Sequence, residues 1–168
     1  MNDLKVYTLA LELLAECVTA LNDTSNGAPA RSYVAEGVPA HDDCCEGQLT
    51  VSIVRRYAST TFPQVDDRPA ACSGPYLVID FAIEAVRCAP VQDDNMNPPS
   101  VEALLASARQ VEIDARAVWQ AVRCWLYEQR GRPMESLVGL QDSITPEGGC
   151  VGTRLAVSVG VLDGCKCP

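Results

Sequence analysis

The chain has 168 residues, 48% of them hydrophobic, and a formal charge of −9 at neutral pH. That is enough apolar material for one domain to bury a core without metal or cystine. The acidic balance disfavours binding to duplex nucleic acid by counterion release and docking on an anionic membrane. No run approaches the roughly 18 apolar residues of a membrane-spanning helix.

Residues 3–22 are expected to form the first helix. Leu4, Tyr7, Leu11, Leu14, Val18 and Leu21 recur at steps of three and four, which places them on one stripe. Asn2 or Asp3 can cap its start, and Asn26-Gly27 has the chemistry of a turn after its end. The stripe suits a helix lying on a sheet; a coiled-coil partner is the alternative. Asp3, Glu12 and Glu16 interrupt the apolar run, so a signal peptide is not expected. A cytosolic chain of this kind keeps its thiols reduced, and nine cysteines leave at least one without an intrachain partner.

Residues 31–35 suit a short strand, followed by a polar, turn-rich loop. Residues 48–57 alternate: Leu49, Val51 and Ile53 face one way, while Thr50, Ser52 and Arg56 face the other. The pattern predicts a half-buried strand with one wet face. A long loop follows over 58–75. Residues 76–88 form the longest expected strand, with Leu77, Ile79, Phe81 and Ile83 on one face and Asp80 and Glu84 on the other.

Pro98-Pro99 followed by Ser100 predicts the start of a long helix over 100–129. Leu104, Ala108, Val111, Ala115, Val118, Val122 and Trp125 line one face. Such a helix would be about 45 Å long, enough to cross a sheet and overhang it. The segment 130–149 reads as a loop rich in Gly, Pro and acid. Residues 153–162 form the last expected strand, and the residues after it read as a flexible tail. The whole is an α+β fold in one domain over residues 1–168, with a mostly antiparallel sheet of about four strands against two helices, one of them long.

The densest set of chemical groups is His41-Asp42-Asp43-Cys44-Cys45-Glu46. His41, Cys44 or Cys45 and a distant cysteine such as Cys150 could bind a metal, since tetrahedral zinc takes four such ligands. The ordinary alternative is a cysteine facing the core as a small apolar residue. A cysteine nucleophile with His41 as base has nothing to orient it. Cys165 and Cys167 lie on the tail. Glu147-Gly148-Gly149-Cys150-Val151-Gly152 precedes a strand and lacks the lysine of a phosphate loop, so it reads as a turn. Asp42-Asp43, Asp66-Asp67 and Asp93-Asp94 read as solvated surface, because no calcium-loop spacing is present. Trp125 falls on the apolar stripe of the long helix, and Trp119 beside it is a candidate interface anchor. Loops 58–75 and 130–149 are the candidate interface segments. Spacing permits disulfides between strand ends, for instance Cys72 with Cys88 or Cys44 with Cys150, and does not choose between them. No catalytic, cofactor-binding or metal residue is assigned.

The runs RSYVAEGVPAHDDCCEGQLTVSIVRRY, EAVRCAPV, VWQAVRCWL and PEGGCVGTRLAVSVGV resemble a family of small proteins from long-tailed bacteriophages of actinobacteria. These are encoded among the head–tail joining genes and are similar to tail terminators. The resemblance covers roughly residues 30–162, and the Asp-Asp-Cys-Cys-Glu-Gly and Glu-Gly-Gly-Cys runs carry most of it. It implies a non-enzymatic α+β subunit of a six-membered ring on the last disc of the tail tube. The implied partners are other copies of itself, the tail tube protein and the head–tail stopper or connector protein, with DNA passing through the ring unbound. The implied location is the virion neck, after assembly in the host cytoplasm. A stopper or adaptor ring is the nearest alternative, and a small metal-binding or thiol protein is the alternative from another class.

Overall fold

The order of elements is α1 (Lys5–Asn22), β1 (Arg31–Glu36), β2 (Gln48–Ser59), β3 (Tyr76–Cys88), α2 (Val101–Glu128), β4 (Met134–Glu147) and β5 (Cys150–Leu162). The structure, a computed structural model, describes residues 5–41, 44–66 and 76–162. Asn2, Asp3, Asp42, Asp43, Asp67, Cys72, Cys165 and Cys167 lie outside the described residues, as does nearly all of the expected tail.

The strands form one five-stranded sheet in the order β1-β2-β3-β5-β4. β1 runs parallel to β2, and every other pair is antiparallel. The α+β class with one long helix is as expected; the sheet is mixed and has five strands. The extra strand is β4, where the sequence suggests a loop over 130–149. It joins β5 through a two-residue hairpin at Gly148-Gly149, both with positive φ (61° and 79°). Glycine populates that region at little steric cost, and this turn matches the twist of the flanking strands.

Both helices pack on the same side of the sheet. Leu49, Val51, Ile53, Ile79, Phe81, Ile83, Leu155, Val157 and Val159 meet Leu9, Leu13, Cys17 and Leu21 of α1 and Val118, Val122 and Trp125 of α2. The buried arc of α1 differs from the expected stripe: Leu9, Ala10, Leu13, Leu14, Cys17 and Leu21 are buried, while Tyr7 and Leu11 are exposed. The helix touches β1, β2 and α2, so it buries two adjacent ridges and turns the Tyr7–Leu11 side to solvent.

Ser100 caps α2 as expected, its Oγ accepting from the Ala103 N–H at 3.1 Å. The apolar face holds only in the C-terminal half. Val118, Ala121, Val122 and Trp125 are buried with Asp114, whereas no residue of 101–113 is. At about 1.5 Å per residue, roughly 20 Å of helix runs past the core.

A buried ion pair ties this helix to the sheet. Arg87 Nε donates to Asp114 Oδ2 at 2.8 Å, Asn26 Nδ2 donates to Asp114 Oδ1 at 2.8 Å, and an Arg87 amino group reaches the Gly27 carbonyl at 2.7 Å. The turn after α1, the end of β3 and the middle of α2 meet there.

The expected wet face of β2 is a correction at Thr50 and Ser52, while Arg56 is exposed as expected and pairs with Glu36. Thr50 and Ser52 are 0% and 1% exposed. The parallel β1–β2 pair needs a crossover, and its described residues, 37–41 and 44–47, lie as a strap on the side away from the helices. Gln48 Nε2 donates to the Ala40 carbonyl at 2.9 Å, and His41 lies on Glu84, the register partner of Thr50. At the other end Phe62 covers Gly160.

Candidate assembly surface

The strap gathers most of the groups singled out in the sequence. Cys44 is bonded to Cys150 and Cys45 to Cys88. Cys88 and Cys150 face each other in register across β3 and β5, so two adjacent loop cysteines reach two adjacent strand ends. Of the two pairings suggested by spacing, Cys44–Cys150 is present, while Cys88 pairs with Cys45 and not with Cys72. The expectation of reduced thiols does not hold at these four positions, because the crossover brings the sulfurs together in pairs. Among the described cysteines, Cys17 is free and buried and Cys124 is free and exposed. Burial, with the Glu16 charge beside it, pushes the Cys17 thiol up to about 12.

His41 does not face a cysteine. Its Nε2 meets Glu84 Oε2 at 3.0 Å, and Glu84, almost wholly buried, also meets Arg154 Nε at 3.5 Å. Only its backbone carbonyl approaches sulfur, 3.4 Å from Cys150 Sγ. With both loop cysteines oxidised, the His41, Cys44 and Cys45 set offers no thiolate to a metal and no nucleophile to a base. Among the described residues no group of three His, Cys, Asp or Glu is placed to hold a metal ion. Cys44 and Cys150 instead pack with Val86 and Ile144 in a small second core under the strap. The Asp93 carboxyl is held below its ordinary range by the Asn97 side chain and by backbone N–H groups of its own turn.

The opposite side of the molecule is open. β4 is the last strand of the sheet order, and among the described residues one of its edges carries no strand. Register shifts between Val138 and Gln141 and between Ile144 and Glu147 bend it, as bulges do at sheet edges. The first shift puts Gly139 against Ala156 and leaves Leu140 76% exposed. Neither helix covers the inner side of β4, so a groove of about 930 Å³ runs between it and α2. Trp119, Leu126, Met134 and Val138 give it apolar walls, and Arg116, Arg123 and Arg130 lie along its rim. A second hollow of about 520 Å³ continues it beneath the overhanging half of α2, past Leu104, Ala108 and Val111. Gln141 Nε2 donates to the Ala115 carbonyl at 2.9 Å where the two meet.

Trp125 is core and Trp119 is 36% exposed on the groove wall, as the helical stripe suggests. The segment 130–149 stands at this surface as an edge strand. Loop 58–75 is described only in part: β2 runs on to Ser59, and Tyr57 Oη donates to the Pro63 carbonyl at 2.8 Å. Sequence reading missed β4 and the arginine rim. The Gly-Gly hairpin signal pointed to the first, and the spacing of Arg116, Arg123 and Arg130, seven residues apart, to the second. Among the described residues no helix is long and apolar enough to cross a membrane. No protein-family model matches the chain, and no curated protein matches it.

Proposed function

We propose that this protein is a structural ring subunit of the phage neck, of the tail-terminator kind. It closes the head-proximal end of the tail tube, stops tube polymerisation and joins the tail to the head connector. Six copies form the ring, and the work is done by shape and self-association, with no substrate bond made or broken. The observation that carries this reading is the α2–β4 groove with the free β4 edge beside it. An apolar hollow of that size, rimmed by charge and left uncovered by the described residues, suits a subunit completed by its neighbours. The motif resemblance supplies the kind of ring. In this reading DNA passes through without specific binding, no membrane or cofactor takes part, and assembly occurs in the host cytoplasm. Release at lysis moves the cysteines into oxidising surroundings, which suits disulfides that form late.

The test is to mix purified protein with tail-tube subunits. A terminator caps tube ends and limits tube length, whereas a stopper or adaptor ring, one level higher, leaves tube length unchanged. A protein that stays monomeric and leaves the tubes alone would overturn both.

A second reading has its own observation. Cys44, Cys45, Cys88 and Cys150 converge from three segments, which suits a small metal-binding or thiol protein once reduced. About one equivalent of zinc per chain, in protein purified under reductant and without chelator, would favour it.

A further inference from the structure

We infer that the α2–β4 groove receives the overhanging arm of a second copy of this chain, residues 91–105, in a head-to-tail contact. The inference rests on the ring reading and names the surface that closes the ring.

The groove has a basic excess, three arginines against Glu112 and Glu128, while the arm is acidic, and both carry apolar side chains. Arg116 and Arg123 stand seven residues apart on α2, about 10.5 Å along its axis, and Arg130 follows just past the end of the helix; all three are exposed. Arg109 extends the series one step further. These are four of the 13 basic residues of a chain with 22 acidic ones, and Glu112 and Glu128 are the acids among the groove's lining residues. The side chains of Arg109, Arg116 and Arg123 form no ion pair or hydrogen bond with a described residue, and that of Arg130 stacks on Tyr127, 4.5 Å from its ring centroid. Below this rim lies the apolar wall of Trp119 and Leu126.

The arm offers the complement. Asp94 and Glu102 are exposed and pair with no described residue, beside Met96, Val101 and Leu105, which are 75%, 66% and 65% exposed. Its tip is a defined turn. Asp93 accepts from the Asn95 and Asn97 N–H groups at 2.9 Å, and Met96 is held there at φ 64°. The helix behind it has no buried residue until Asp114, so the arm projects from the core that anchors it.

Arm and groove lie on different parts of one molecule, so their contact is heterologous. Such a contact joins copies head to tail and closes a ring when the rotation permits. The same positioning keeps the arginines in the joints between copies, off the wall that faces passing DNA.

The test uses charge exchange read by native mass spectrometry and sedimentation. R116E/R123E/R130E makes the groove acidic, and D94R/E102R makes the arm basic. Each variant alone should shift the assembly midpoint at least about tenfold to higher concentration, since like charges then face each other. Their melting curves should stay within a few degrees of the parent. An equimolar mixture should restore rings containing both chains, because each arm then meets a groove of opposite sign. Assembly of both variants at the parent's midpoint, or no rescue on mixing, overturns the inference and leaves the ring reading standing. A parent chain that stays monomeric over the whole concentration range overturns both.

Discussion

Asp114 sits in the middle of a helix and points at Arg87, the penultimate residue of a central strand; the two close an ion pair with side chains 1% and 8% exposed. A lone charge there has no solvent to fall back on, because Asn26 and the Gly27 carbonyl take up the remaining hydrogen-bonding capacity. We expect Asp114→Ala to destabilise the protein by about 3–5 kcal/mol, since it leaves a buried guanidinium without its partner. The double change Arg87→Met with Asp114→Leu should recover most of that loss. Chemical denaturation of the three proteins checks it, and a double variant no better than the single one would refute the argument.

Thr50 presents the reverse case. It is wholly buried, and its hydroxyl has no hydrogen-bond partner among the described residues. Thr50→Val keeps the shape and removes a desolvated polar group, so it should raise stability by about 1–2 kcal/mol. β-Branched valine also suits a strand. A fall in the denaturation midpoint would show that a partner exists.

The cystines tie distant parts of the chain. Cys44 and Cys150 are 106 residues apart in sequence. Closing so long a loop stabilises by about 4.7 kcal/mol in the chain-entropy view, and by less where Cys45–Cys88 already restrains the same strap. Reductant should therefore lower the melting temperature of the parent clearly and that of the Cys44→Ala/Cys45→Ala/Cys88→Ala/Cys150→Ala variant not at all. In the folded, oxidised protein iodoacetamide should reach Cys124, and should reach Cys17 only on unfolding.

Cys17 also predicts a dependence on pH. Its folded pKa is raised from 9.0 to about 12. Above pH 9 the unfolded chain releases the thiol proton while the folded chain keeps it, so the unfolded state gains relative to the native one. Stability should fall by up to about 1.4 kcal/mol per pH unit between roughly pH 9 and 12. Below pH 9 both states hold the proton and the effect vanishes. Cys17→Ala should flatten this slope against the parent, measured by denaturation from pH 8 to 10.5. An identical slope in the two proteins would rule the mechanism out.

Trp119 separates folding from assembly. It stands half in the groove, beyond the buried stripe that ends in Trp125. Trp119→Ala should leave the melting temperature within a few degrees and weaken self-association by about 2 kcal/mol or more, as truncated aromatic anchors do. Sedimentation over a concentration series reads the second effect. Trp125→Ala should instead cost about 3–5 kcal/mol of fold stability.

Much of the layer structure was legible because burial writes a period into the chain. The alternation in 48–53 and 76–86 and the Pro98-Pro99-Ser100 start gave β2, β3 and α2 directly. Other parts depend on partners distant in sequence. Leu9 and Tyr7 are equally good apolar residues on α1, and only the position of α2 decides which is buried. Thr50 reads as wet until the strap crosses it, and the strap's path follows from β1 choosing a parallel partner. β4 was obscured by its own irregularity: two register shifts, Gly139 and Pro146 break the alternation that marks a strand. The Gly148-Gly149 turn was visible, but a hairpin needs two strands and only β5 had been read. The groove itself has no sequence signature, since it is the space left where α2 and β4 diverge; the arginine heptad on its rim was the readable part.

The Cys44–Cys150 bond also decides how the molecule would carry tension. Pulled from its two ends, the chain transmits load straight from residue 44 to residue 150 through sulfur, and everything enclosed between them stays slack. The length it can yield is then confined to α1, β1, the strap before Cys44 and the last strand, while β2, β3, α2 and β4 bear no load.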